Sequence, residues 1–226
     1  MQRVPHDSDG QNLLREVGKH FGVEDTFTQT PVGVFFGKPG TTVPDPYFGG
    51  EGPERTGCTR CGACMVGCRE GAKNTLVKNY LWFAEKRGVE IHPEREVVDI
   101  RPIGAEDGAD GYTVTTERPG AWFRKQRRTF TARGIVISAG ALGTNQLLAR
   151  CKLGGSLPAI SDRLGQLVRT NSESILAVTL PKGMARPWND VAISASIYPR
   201  ADTHIEFVTY GKHGDFMSLL YTLITG

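Results

Sequence analysis

Ile135-Val-Ile137 is a short β-rich run that leads directly into Ser138-Ala-Gly-Ala-Leu-Gly143, and a helical pattern over about 144–151 follows. A strand, a bend of small residues and a helix start, in that order, predict an α/β unit in which backbone must come close to something. Two arrangements use such a bend. Backbone N–H groups and a helix terminus can approach a phosphate or a ring closely, or the helix can pack tightly on a sheet. The run lacks the full Gly-x-Gly-x-x-Gly, so spacing alone leaves both open.

The chain has 226 residues, enough for one large or two small domains, and its 39% hydrophobic content can fill a core. Its 28 glycines follow no fibre-like repeat, which points to tight turns and close backbone approaches. A net charge of +3, from 27 basic against 24 acidic residues, is too small for a nucleic-acid footprint. Arg124, Lys125, Arg127, Arg128 and Arg133 form one basic stretch without an acid, read as a solvated hairpin face. The first residues carry no signal-peptide pattern and no window reaches the length of a membrane span, so a cytoplasmic address is the default expectation.

A short helix is expected over 11–22, where Leu13, Leu14 and Val17 share a face ahead of Gly22. From Thr30 to Gly57 the chain is loop-like, with Pro31, Pro39, Pro44, Pro46 and Pro53, and a loop of that length is expected to line a site or cover a surface. Leu76, Val77, Tyr80, Leu81 and Ala84 recur at helical spacing up to Gly88. Short strands are expected at Val89–His92, 96–100, 112–116 with a return through Phe130, 175–178, 191–198 and 205–208.

Cys58, Cys61, Cys64 and Cys68 form a C-x2-C-x2-C-x3-C run. Thiolates at this spacing hold iron–sulfur clusters, whereas zinc favours two pairs split by a longer loop. A single [4Fe–4S] cluster would use these four sulfurs, or three of them plus Cys151. Arg69 follows Cys68 where ferredoxins carry proline, and reduced structural cysteines, a disulfide and zinc stay open as alternatives.

The run Gly57-Cys-Thr-Arg-Cys-Gly-Ala-Cys-Met-Val-Gly-Cys-Arg-Glu-Gly-Ala-Lys-Asn-Thr-Leu76, continued by Lys78-Asn-Tyr-Leu81, resembles the middle of the glucose-methanol-choline (GMC) oxidoreductases, most closely their cholesterol-oxidase-like branch. Ile135 to Leu148 and Asp162 to Asn171 resemble two further landmarks of that family. The resemblance implies a partial FAD-binding, Rossmann-like domain joined to part of a sheet-containing substrate domain, incomplete at both ends. It divides the chain into a cover segment at 1–57, a partial FAD-binding domain at 58–170 and a partial substrate domain at 171–226. In it, Glu96 and Val97 resemble the strand whose backbone pairs with adenine. Ser138, Ala139, Gly140 and Gly143 resemble the turn against the flavin, and Asn74 lies at the start of a helix bordering the cofactor.

The family's amino-terminal Gly-x-Gly-x-x-Gly has no counterpart before residue 57, and its carboxy-terminal histidine block none before residue 226. The resemblance therefore implies missing amino- and carboxy-terminal portions of a parent enzyme, and an isolated chain that binds flavin weakly or not at all. The implied substrate is a bulky apolar alcohol such as a 3β-hydroxysteroid, oxidised and then isomerised. Glu206, in Thr203-His-Ile-Glu-Phe207, resembles the carboxylate that would move protons over the steroid, and an edge-strand glutamate facing water is its bland alternative. His6, His20 and His92 are read as surface or packing residues, while Phe35, Phe36, Trp82, Phe83 and Trp188 offer apolar bulk. Two other readings are an iron–sulfur electron-transfer module and an inactive truncated product.

Overall fold

The computed structural model describes residues 1–169, 172–178, 189–212 and 214. Its first half holds β1 (Gln2–Arg3), α1 (Asp9–Phe21), β2 (Thr28–Gln29), β3 (Pro31–Val32), β4 (Thr42–Val43), β5 (Arg55–Thr56) and α2 (Tyr80–Lys86). The remainder adds β6 (Glu96–Pro102), β7 (Tyr112–Glu117), β8 (Arg128–Ala132), α3 (Gly140–Leu153), β9 (Ile193–Arg200) and β10 (Thr203–Val208). The chain divides into two compact units, one of residues 1–89 with 175–226 and one of residues 90–174. Packing thus sets the cysteine segment with the first unit, whereas the expected boundaries at 57 and 170 follow the family plan.

In the first unit, α1 starts where the Ser8 hydroxyl accepts the Gln11 N–H at 3.3 Å and stops at Gly22. Leu14 on its inner face meets Ala195 and Ile197 of β9, with Val23, Phe27 and Phe207 around them. The helix lies close on the sheet because Gly10 has no side chain. A Cβ there would sit 2.2 Å from the Phe207 ring. The sheet beneath runs β10-β9-β2, all antiparallel. A second core gathers Val4, Val34, Cys58, Ala72 and Val191, with Val32, Phe36, Cys64 and Cys68 against it.

The second unit is an antiparallel meander, β6-β7-β8, covered by α3. Ile100, Leu147 and Cys151 form its centre, flanked by Val97, Tyr112, Ile135, Ile137 and Leu157.

Three expected strands are absent as paired strands. Val89–His92, Ile135–Ile137 and 175–178 have no strand partner among the described residues. A strand is made by its neighbours' hydrogen bonds, and side-chain pattern supplies none of them. His92 does touch β8 through its ring, at 4.8 Å from Phe130, while its backbone stays unpaired. The expected helix at 76–87 is split into a 3-10 turn at Leu76–Lys78 and α2, with Asn79 between them at φ −144° and ψ −101°. The Lys78 carbonyl, which a continuous helix would use, is taken by the Arg55 guanidinium.

Candidate functional site

In the second unit, the bend after Ile137 opens α3. Ala139 occupies the N-cap position without a side-chain cap, Gly140 has φ +73°, and no acid lies in the first turn. The Ala139 N–H donates to Thr144 Oγ1 at 3.1 Å. The first N–H groups of the helix thus keep their partial positive charge toward open space, where a Cβ on Gly140 would meet nothing within 4 Å. Val136 and Leu142 beside the bend are 90% and 79% exposed, an apolar rim without cover in this unit.

Glu96 and Val97 lie on β6, the edge strand of its sheet. The outer backbone groups of β6 have no strand partner among the described residues, and the pairing slips between Val97 and Asp99. Val97 also packs on the Ile100, Leu147 and Cys151 core that holds α3, so one rigid arrangement carries both the strand edge and the bend. Such donors and acceptors fit a dinucleotide: a planar base can pair with edge backbone, and an acceptor-rich ring or pyrophosphate suits the uncapped helix start. An open groove of about 600 Å³ runs past Glu96, Asp99, Arg101, Glu117 and Arg150. Its charges are largely paired, since Arg127 and Lys125 hold the Glu117 carboxyl below its usual pKa.

Asn74 belongs to the first unit. Its N–H donates to the Gly33 carbonyl at 2.7 Å, and its Oδ1 accepts from Arg55 Nη2 at 2.8 Å. Arg55 is fully buried, which no sequence pattern around Glu54-Arg55 indicates.

All four clustered cysteines line one cavity of about 10 Å³, and all are free thiols. Cys58, Cys64 and Cys68 are built into the apolar core with Val34 and Ala72, and Cys61 is exposed. Burial pushes the Cys58 and Cys64 thiols up, and the neighbouring cysteines push the same way. Among the described residues no group of three or more His, Cys, Asp or Glu side chains is placed to hold a metal ion. The iron–sulfur expectation therefore finds no support. Cys58, Cys64 and Cys68 pack as small hydrophobes. Cys151 is used elsewhere, fully buried with its thiol 3.8 Å from Asp99 Oδ1 in the second unit.

Glu206 lies on β10 opposite Ser196, half-buried. The Ser196 hydroxyl donates to its Oε1 at 3.4 Å, and His204 Nε2 is 3.8 Å from the same oxygen. Thr30 Oγ1 reaches the Ser196 hydroxyl at 3.4 Å, so the carboxylate ends a short hydroxyl chain. His6 shows more than packing. Its Nε2 is 2.8 Å from Oδ1 of the buried Asp190, while its own ring rests edge-on against Phe36. Gln11 donates to the other Asp190 oxygen at 3.3 Å. Burial works against the Asp190 charge. Donors around it, among them the Ser8 hydroxyl, the Val191 N–H and His6, outweigh that and hold its carboxyl below the usual range. A lone histidine before a helix gave no sign of a partner some 184 residues away. Trp188, His213 and Asn171 lie outside the described residues.

The second unit thus offers an uncapped, glycine-opened helix start and a sheet edge without a strand partner among the described residues. The GMC oxidoreductase family matches residues 53–166, and the chain belongs to it. The fold is accordingly α/β of the GMC type. Over 98% of its length the chain is 51% identical to a protein named cholesterol oxidase from Mycobacterium tuberculosis. Over 93% it is 50% identical to one of that name from Acinetobacter baumannii. It spans 39% of the length of each. No solved structure matches it. No helix among the described residues is long and apolar enough to cross a membrane.

Proposed function

We propose that this chain is part of an FAD-dependent oxidoreductase acting on the CH–OH group of a 3β-hydroxysteroid or a comparably bulky apolar alcohol. The observation that carries the reading is the combination of GMC family membership with the open, uncapped start of α3 at Gly140. When bound, FAD supplies the two-electron acceptor for the carbinol hydride. In this reading the α3 N–H groups from Gly140 onward hold an acceptor of the cofactor, with Ser138, Ala139 and Gly143 shaping the bend. The β6 edge at Glu96 and Val97 receives the base through main-chain groups, which discriminates by hydrogen-bond pattern at no cost in side-chain ordering.

Glu206 is assigned the proton work on the substrate. Ser196 donates to one carboxylate oxygen, which fixes its direction, while partial burial keeps the group from being fully hydrated. A carboxylate held in that way can take a proton from one carbon of an oxidised sterol ring and return it to another, shifting the double bond. The sterol preference rests on likeness to the two proteins named cholesterol oxidase, and the isomerisation on the resemblance of the Thr203–Phe207 segment to that branch of the family.

The test is product analysis on the full-length gene product with a 3β-hydroxy-5-ene sterol as substrate. The wild type is expected to give the conjugated ketone, and Glu206→Gln to accumulate the unconjugated one. Turnover of small alcohols with none of the sterol would reject the substrate reading, and an unchanged product in Glu206→Gln would reject the assigned residue.

A further inference from the structure

Between β7 and β8, in the second unit, the chain makes a loop that ends in two adjacent aromatic residues. Trp122 and Phe123 are 89% and 94% exposed. The limbs beneath them are held. The Arg118 N–H donates to the Lys125 carbonyl at 2.8 Å, beyond the Thr116–Arg128 pair that ends the β7–β8 ladder. Arg95 Nη1 donates to the Gln126 carbonyl at 2.6 Å. A turn with the Ala121 N–H on the Arg118 carbonyl at 3.4 Å, and Gly120 at φ +69°, then carries the chain into the tip. Two large rings are thereby displayed on an anchored hairpin instead of being folded back on the sheet.

Charge around the tip has one sign. Residues 118–133 hold Arg118, Arg124, Lys125, Arg127, Arg128 and Arg133 and no acid. The carboxylate at the base, Glu117, is taken by Arg127 at 2.7 Å and Lys125 at 3.2 Å. Arg118 and Arg124, which bracket the aromatic pair, are exposed and form no ion pair among the described residues. A solvated face accounts for the charges, but not for two neighbouring rings left in water, where apolar surface is unfavourable. A partner that takes both must be apolar inside and negative outside. Protein interfaces bury rings too, yet their cores are depleted of charge. A projecting tip also offers no groove along which bases would stack. An anionic bilayer has the required order, with negative head groups for the guanidinium groups and an interfacial zone in which Trp rings settle.

From this geometry we infer that the 118–127 hairpin docks on the surface of an anionic lipid bilayer, with Trp122 and Phe123 entering the head-group region and Arg118 and Arg124 pairing with lipid phosphates or carboxylates. The inference stands apart from the proposed chemistry and concerns the second unit alone. Docking of this kind lies on a membrane without crossing it.

The experiment uses the full-length gene product and vesicles of phosphatidylcholine, alone or mixed with phosphatidylserine. Co-sedimentation is expected with the mixed vesicles, weakening as salt rises past about 0.1 M, where charges are screened within ~10 Å. Arg118→Gln and Arg124→Gln are each expected to lower the partition coefficient about fivefold. Trp122→Ser combined with Phe123→Ser is expected to lower it at least about tenfold. All four positions are exposed, so urea midpoints are expected to match wild type. Bromine on the lipid acyl chains should quench tryptophan emission in wild type and much less in Trp122→Phe, a variant expected to sediment nearly as wild type does. Wild type that stays in solution with the mixed vesicles overturns the inference. So does binding unaltered by the tip substitutions, or equal binding to pure phosphatidylcholine. Trp122 emission already shielded from acrylamide before lipid is added would place the tip against another part of the full protein or a second copy, and overturns it as well.

Discussion

Gly140→Ala separates backbone strain from ligand contact. Gly140 sits at φ +73°, in the left-handed region, and a built Cβ meets nothing within 4 Å. The variant therefore adds no clash inside the protein and carries only the conformational cost of an L-residue there, about 1–2 kcal/mol. Gly155, just past the other end of α3, is a matched control at φ +70° with equally open surroundings. Gly155→Ala should lose about the same stability. On the proposed placement the two differ in flavin binding, because only the Gly140 methyl would stand on the cofactor's side. Urea denaturation of both apoproteins is expected to show matched losses. FAD titration is expected to show a Kd raised at least about tenfold, or ~1.4 kcal/mol, for Gly140→Ala alone. Equal Kd values in the two variants would refute the assignment of the bend to the cofactor.

Asp190 should make the first unit acid-sensitive. Its folded pKa is depressed, so its contribution is present above the unfolded carboxylate value near about 3.9 and is lost as pH falls through the folded one. Asp190→Asn should flatten stability below about pH 4 and cost ~1–3 kcal/mol at neutral pH through the unmatched donors of His6 and Gln11. Urea midpoints across pH 3 to 7 check both effects. Alkylation of the native protein followed by mass spectrometry should modify exposed Cys61 first, with Cys58 and Cys151 slowest. Joint protection of Cys58, Cys61, Cys64 and Cys68, together with bound iron and sulfide, would show a cluster instead. Leu147→Ala should destabilise the second unit by ~2–5 kcal/mol by emptying the space between α3 and β6.

Local pattern made the β6-β7-β8 strands and most of α1 legible: Leu13, Leu14 and Val17 ahead of Gly22 mark the helix, whose start at Asp9 behind the Ser8 cap lies two residues before the expected one, and Val, Ile and Thr mark the strands. Pairing was not legible at Ile135–Ile137, whose composition is that of a strand while its hydrogen-bond partners are absent from the described residues. The break at Asn79 was hidden for a related reason. It depends on Arg55 reaching across 23 residues to the Lys78 carbonyl, and helical periodicity cannot register a competitor for one carbonyl. The cysteine spacing spoke for ligand chemistry, but spacing does not encode burial, and burial beside Val34 and Ala72 is what pushes the Cys58 thiol up. The His6–Asp190 pair was out of reach because its members are 184 positions apart.

The most direct measurement is an experimental structure of the flavin-loaded, full-length gene product. Cofactor atoms within hydrogen-bond distance of the main chain at 138–143, with the base against the backbone of Val97, are the expected result. A flavin bound away from both, or a Gly140 turn filled by a protein side chain, would contradict the placement on which the proposed chemistry depends.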